Sequence, residues 1–238
     1  NTVRRLSGPS KKGFHRVSWD LRFPSPNAIS LGTDSSSESG FLAAPGRYSV
    51  KMYSKVDGKI NQLSDYQYFD VVPLRSGALA TDDFENISSF WREYEHTVRR
   101  ASAIQMTVAN SLKKITSMNT ALSQSTAEVG DLDNRLNKLR SSLMDMDADL
   151  SGNRSKMGPG EKTKPTAGSR LFVVQRVIEY ATYGPTETAS DNLKLAQQDL
   201  DKIESQLNQN SKDLNALSRR LENAGAPWVE GEEIPKNN

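Results

Sequence analysis

A chain of 238 residues has room for one large or two small domains. With 31 Lys and Arg against 29 Asp and Glu its net charge is only +2, too little for the basic footprint of a nucleic-acid binder. The lack of cysteine excludes disulfides, thiolate catalysis and Cys-based zinc sites. A hydrophobic content of 35% and a mean hydropathy of −0.65 suit elongated helices that bury a narrow stripe, and no apolar run approaches the ~18 residues of a membrane span.

The pattern changes near Leu74. Before it the sequence alternates with the period of strands; after it, leucines recur every three and four residues. The charge is split as well: residues 1–80 hold 11 Lys/Arg and 6 Asp/Glu (+5), and residues 81–238 hold 20 and 23 (−3).

The chain opens on Asn1 and passes straight into a strand-like segment at residues 2–6, as a piece cut from a longer protein would, so a missing leader carries no information on export. Residues 16–22 place Val17, Trp19 and Leu21 on one face of a predicted strand, with His15 in the same parity, until Pro24 and Pro26 stop it. Residues 30–40 are a polar loop, and Pro45-Gly46 forms a turn. Residues 47–53 resume alternation with Tyr48, Val50 and Met52 on one face. Asp57-Gly58 suits a tight hairpin, and residues 59–63 and 66–72 complete five strands before Pro73. Five is one or two short of an immunoglobulin-like sandwich. The shortfall also fits missing upstream sequence.

Three runs carry a resemblance: Val3-Arg4-Arg5-Leu6, then Lys12-Gly13-Phe14-His15-Arg16-Val17-Ser18-Trp19-Asp20-Leu21-Arg22, then Ala44-Pro45-Gly46-Arg47-Tyr48-Ser49-Val50. Together they resemble a fibronectin type III or hook-capping-type immunoglobulin-like domain. Such a domain lies near the C-terminus of large secreted bacterial proteins with a sortilin-like or BNR-repeat β-propeller, usually labelled glycosyl hydrolases. Gly168-Ser169-Arg170-Leu171 and Gly184-Pro185-Thr186-Glu187 also resemble that family's tail, while Pro73-Leu74-Arg75 stands where its D-P-R ending would fall. The resemblance implies a parent that is secreted, periplasmic or held at the cell surface, with carbohydrate as its implied target. Any hydrolase chemistry would sit in the propeller, so no catalytic residue carries over.

In the second part Thr81-Asp82-Asp83 is a helix N-terminus, its acids near the positive end of the dipole. Ile87, Trp91, Tyr94, Val98, Ala101, Ile104, Val108, Leu112, Ile115, Met118 and Leu122 follow at helical spacing, predicting a helix of about 40 residues and roughly 60 Å. A second stripe runs Val129, Leu132, Leu136, Leu139, Leu143, Met146, Leu150 and stops at Ser151-Gly152-Asn153. A Gly/Lys/Pro-rich loop (152–168) precedes a short helix at 170–183 bearing Leu171, Val174, Ile178 and Ala181. Gly184-Pro185-Thr186 leads into a last helix with Leu193, Ala196, Leu200, Ile203, Leu207, Leu214, Leu217 and Leu221, closed by Gly225. Asn210 interrupts that stripe as a register-setting residue does in a coiled coil. The short breaks at 123–127 and 184–185 favour packing within one chain over a dimeric coiled coil.

Candidate chemistry is sparse. His15 and His96 lie in different parts and make no metal site. Asp145, Asp147 and Asp149 lack the Gly and closing Glu of a calcium loop and read as a solvated helix face. Glu93 and Glu95, two apart beside Trp91, cannot flank a glycosidic bond. Trp19 reads as core, Trp91 as a plug at the junction of the two parts, and Trp228 as the one Trp with a prospect of exposure, though docking back onto the helices is the better reading.

The expected fold is therefore α+β in two segregated parts: a partial Ig/fibronectin III-like antiparallel β-sandwich (1–76), an antiparallel helical bundle (81–226) and a C-terminal tail (227–238). The expected function is a non-catalytic accessory segment, with no catalytic, cofactor or metal residues. It would brace the parent β-propeller or bind a protein; the alternative is a carbohydrate-binding or surface-attachment module. Exposed aromatics clustered on one sheet face would favour the alternative, and a polar face would favour bracing.

Overall fold

The computed structural model describes residues 2–31, 39–74, 84–126, 130–153, 164–180, 184–232 and 234. The helix start at 81–83, Arg75, Val129, Ala181 and the centres of the loops at 32–38 and 154–163 lie outside the described residues. The chain is mixed α+β, with small two-stranded antiparallel sheets and four helices among the described residues. It divides into two compact units whose segments interleave. One takes Asn1–Ser25, Ser36–Glu93 and Ile178–Pro185; the other takes Pro26–Ser35, Tyr94–Val177 and Thr186–Asn238.

In the first unit the strands are β1 (Arg22–Pro24), β2 (Ser39–Leu42), β3 (Gly46–Val50), β4 (Tyr53–Val56), β5 (Lys59–Gln62) and β6 (Gln67–Val71). They pair β1–β2, β3–β6 and β4–β5. The last two pairs are nested, with β4–β5 as a hairpin at the end of the ribbon that β3 and β6 begin. Between them Leu63 N–H donates to Met52 O (2.8 Å) and Met52 N–H to Ser64 Oγ (2.9 Å), so the ribbon continues across its irregular middle.

The hairpin turn falls where the sequence places it. Asp57 (φ 48°) and Gly58 (φ 79°) take the two left-handed positions of a type I′ turn. Nothing lies within 4 Å of a Cβ added to Gly58, so the cost of Gly58→Ala is purely conformational. It should come to about 1 kcal/mol, visible as weaker amide-exchange protection across β4 and β5. Unchanged protection would mean that the turn does not set this hairpin. Gly40 meets a different constraint, since a Cβ there would lie 2.3 Å from the Pro24 carbonyl oxygen.

Two expected strands are absent. Residues 2–6 are irregular, held by Arg4 Nη1 donating to Phe23 O (2.8 Å). Residues 16–21 form no strand because local bonds turn the chain: Arg22 N–H donates to Asp20 Oδ1 (3.0 Å), Trp19 Nε1–H donates to Arg22 O (2.9 Å), and Leu21 sits at φ 58°. Asx geometry of this kind competes with a ladder. The predicted common face is lost: Val17 is 49% exposed while Trp19 is half-buried.

Trp19 instead anchors a small aromatic core. Its ring meets Tyr48 edge-on at 5.5 Å and Phe69 at 6.3 Å, and Tyr48 stacks on Phe69, its register partner. The Tyr48 hydroxyl donates to Ala44 O (2.7 Å). Burial raises the Tyr48 pKa, against the opposing charge of Arg92.

The helices are α1 (Phe84–Ser123), α2 (Leu132–Ser151), α3 (Ala167–Tyr180) and α4 (Glu187–Asn223). None among the described residues is long and apolar enough to cross a membrane. In the second unit one apolar core takes Val108, Ile115 and Met118 from α1, Leu136, Leu143 and Met146 from α2, Ala167 from α3, and Leu200, Ile203 and Leu214 from α4. These are the stripe positions, and the burial they provide is what makes such helices stable in water. Helix α4 starts on a Thr186 cap, whose hydroxyl accepts from Ala189 N–H, and ends at Gly225 (φ 67°).

Polar contacts fix which turn meets which. Asn210 donates to Ser142 Oγ (2.9 Å), tying α4 to α2 at the interruption of the leucine stripe. Arg100 bridges Asp201 (2.7 Å) and Glu204 (2.5 Å), tying α1 to α4. Asp131 pairs with both Arg220 and Arg135. The tail is docked: Ala226 and Val229 pack on the core, and Glu232 pairs with Lys114 (2.5 Å).

These carboxylates set an acid limit. Hydrogen bonds from Arg220 and Arg135 hold Asp131 below its ordinary pKa. Burial pushes Glu232 up, but the bonds from Lys114 and Ser218 and the Lys114 charge outweigh it, leaving a net lowering. A carboxylate lowered in the folded state contributes stability that is present above its unfolded pKa, about 4, and lost as pH falls through the folded value. Urea midpoints should stay level from about pH 7 to 5 and fall below about pH 4. The Asp131→Asn/Glu232→Gln chain should show a shallower fall; an identical fall would place the acid sensitivity on other groups.

Candidate binding surface

The ribbon that packs Tyr48 and Phe69 against Trp19 on one face turns a different set of side chains to the other. Alternation puts Arg47, Ser49 and Lys51 together, and the register of Arg47 with Asp70 and Ser49 with Tyr68 brings the opposing strand's Tyr66, Tyr68 and Asp70 to the same side. Tyr53, at the start of β4, adjoins them through Lys51. Three tyrosines are exposed here: Tyr68 at 63%, Tyr66 at 55% and Tyr53 at 53%.

Cations are interleaved with the rings. The Arg47 guanidinium lies 5.0 Å from the Tyr68 centroid. The Lys51 ammonium lies 4.3 Å from that of Tyr66 and 5.8 Å from that of Tyr53. Tyr66 and Tyr68 are neighbours at 6.3 Å, tilted by 34°. Such a row offers polarisable faces, phenolic hydroxyls and two positive charges to anything laid across it. It contains no general acid and base poised across a cleft.

The residues singled out in the sequence do not converge. His15 is exposed and its ring nitrogen donates to the Lys11 carbonyl (2.6 Å), while His96 is exposed on α1. The strand that would have set His15 in phase with Trp19 does not form. Glu95 pairs with Arg99 (2.9 Å) and Glu93 is exposed. Asp145 and Asp149 are exposed on α2 and Asp147 is half-buried. Among the described residues no group of three or more His, Cys, Asp or Glu could hold a metal. Trp91 is half-buried, and Trp228 is 53% exposed although its neighbour Val229 packs on the helical core. A cavity of about 320 Å³ in the second unit is lined by Gln105, Leu150, Ser151, Thr166 and Ser169 among others, with no titratable group.

The tyrosine row follows from the pairing of β3 with β6. Once Tyr48 is assigned inward, its partner Phe69 must point inward too, which leaves Tyr66 and Tyr68 outward. The missing information was the register. No family model, curated protein or solved structure matches this chain.

Proposed function

We propose that this chain is a non-catalytic accessory segment and that its first unit binds carbohydrate through the Tyr53–Tyr66–Tyr68 row. The observation that carries the reading is three exposed tyrosines gathered on one sheet face, opposite the face on which Trp19, Tyr48 and Phe69 pack together. Exposed aromatic rings cost solvation unless something apolar covers them. A pyranose ring presents C–H groups with partial positive charge, which suit the negative face of a phenol. The phenolic hydroxyls supply the polar rim that sugar hydroxyls need. In this reading the helices of the second unit form an antiparallel bundle that serves as a spacer, and the strands form a partial immunoglobulin-like sandwich that carries the site. The resemblance to propeller-associated domains supports a secreted parent that acts on polysaccharide.

Affinity electrophoresis through gels containing soluble polysaccharides tests this directly. The chain should be retarded by at least one polymer, and Tyr66→Ala/Tyr68→Ala should run as if in plain gel. Retardation that survives both substitutions would remove the site from this face. Release of reducing sugar from any of these polymers, abolished by a single carboxylate substitution, would contradict the non-catalytic part.

A second reading has its own observation. Val50, Met52, Val56, Ile60 and Leu63 are each more than half exposed in the first unit. Apolar side chains this dense on a small unit favour a covering protein, for which the parent propeller is the natural occupant. Linking the chain to that domain should then raise the first unit's melting temperature; no change would leave the carbohydrate reading alone.

A further inference from the structure

The two cations in the tyrosine row narrow the ligand, and resting on the carbohydrate reading we infer that the saccharide is acidic, a polymer bearing carboxylate or sulfate groups that Arg47 and Lys51 pair with.

Neither cation has an ion-pair partner among the described residues, and each lies against tyrosine rings. An exposed cation–π contact is a weak interaction, and a charge-assisted hydrogen bond to an anion is directional and stronger than a neutral one. Each cation can therefore turn from its ring to a ligand anion. Lys51 is the stronger case: it is half-buried and lies against both Tyr53 and Tyr66, where a saccharide stacked on those rings would meet it.

Placement agrees with a chain-like ligand. Arg47 and Lys51 are four residues apart along one edge of the ribbon, about 13 Å at strand rise, with the tyrosines between and beside them. Stacking would hold the sugar rings while the two cations sample successive acidic groups. The surrounding field has the right sign, since residues 1–80 carry +5.

Asp70 shares this face opposite Arg47, and it argues against a nucleic acid. A phosphate backbone needs a continuous track of cations, and here only Arg47 and Lys51 lie against the tyrosine rings, with Asp70 beside them. A uronic-acid or sulfated polymer carries its charge more sparsely, and Asp70 can accept from a sugar hydroxyl.

The full chain should be titrated with polygalacturonate, with the same polymer after its carboxyls are reduced to hydroxymethyl groups, and with a single-stranded oligothymidylate. Polygalacturonate should bind about tenfold or more tighter than its reduced form, and the difference should shrink at about 0.5 M NaCl. Arg47→Gln/Lys51→Gln should bind both polymers at the weaker level, while Tyr66→Ala/Tyr68→Ala should lose both. Equal wild-type affinity for the two polymers, or a preference that survives the double Gln substitution, overturns the acidic assignment and leaves the saccharide reading standing. Failure to bind either polymer overturns the acidic assignment, and the carbohydrate reading falls only if the gel assay also shows no retardation by any polysaccharide. Tighter binding of the oligothymidylate than of polygalacturonate assigns the face to nucleic acid and defeats both. Far-UV circular dichroism on each variant separates these results from unfolding.

Discussion

Leu200→Ala should destabilise the helical unit by about 2–5 kcal/mol. Leu200 is fully buried, in the same core as Leu136, Leu143 and Met146 of α2 and Val108 of α1. Truncation loses the transfer free energy of the removed carbons and leaves a cavity that long packed helices collapse into poorly. The same change at Leu195, on the same helix but 40% exposed, should cost within about 0.5 kcal/mol. Leu139→Ala and Leu207→Ala, at 8% and 5% exposure, belong with Leu200. Urea melts followed at 222 nm provide the comparison. If Leu200→Ala and Leu195→Ala shift the midpoint equally, the stripes do not face a common core.

Trp19→Ala should be the most damaging single change in the first unit. Full truncation of a core aromatic costs about 3–5 kcal/mol; Trp19 is only half-buried, so about 2–3 kcal/mol is expected after scaling by burial. The substitution removes two edge-on ring contacts, with Tyr48 and Phe69, and the Nε1 bond that holds the turn at Arg22. Hydrogen exchange should show β3 and β6 losing protection. Trp19→Phe keeps a ring but not the indole donor and should recover part of the loss. Full protection of β3 and β6 in Trp19→Ala would mean that the sheet does not depend on this cluster.

The helices were legible because helical burial is periodic and local. The leucines, the Asn210 interruption, the ends at Gly152 and Gly225 and the length of α1 all follow from spacing and caps that act within a few residues. The strands were legible in part: the segment expected at 66–72 holds β6 (Gln67–Val71), and a turn fixed another. Asp57-Gly58 placed the hairpin turn and β5, because two left-handed residues leave the hairpin little choice, whereas the single strand expected over 47–53 divides into β3 and β4. Residues 16–21 misled, since Val17, Trp19 and Leu21 alternate as a strand does. The side chains of Asp20 and Trp19 bond to Arg22 instead, and no period-2 pattern reports that competition. The tyrosine face required the pairing of β3 with β6 across 16 intervening residues, which depends on a non-local register.

The most direct test of the account is a map of ligand contact by amide chemical-shift perturbation, with oligogalacturonate titrated into the labelled chain. Shifts should concentrate in Arg47–Tyr53 and Tyr66–Asp70, saturate with one affinity, and vanish in Tyr66→Ala/Tyr68→Ala. Saturating shifts centred on the helical core, or on the Trp19 face of the ribbon, would contradict it.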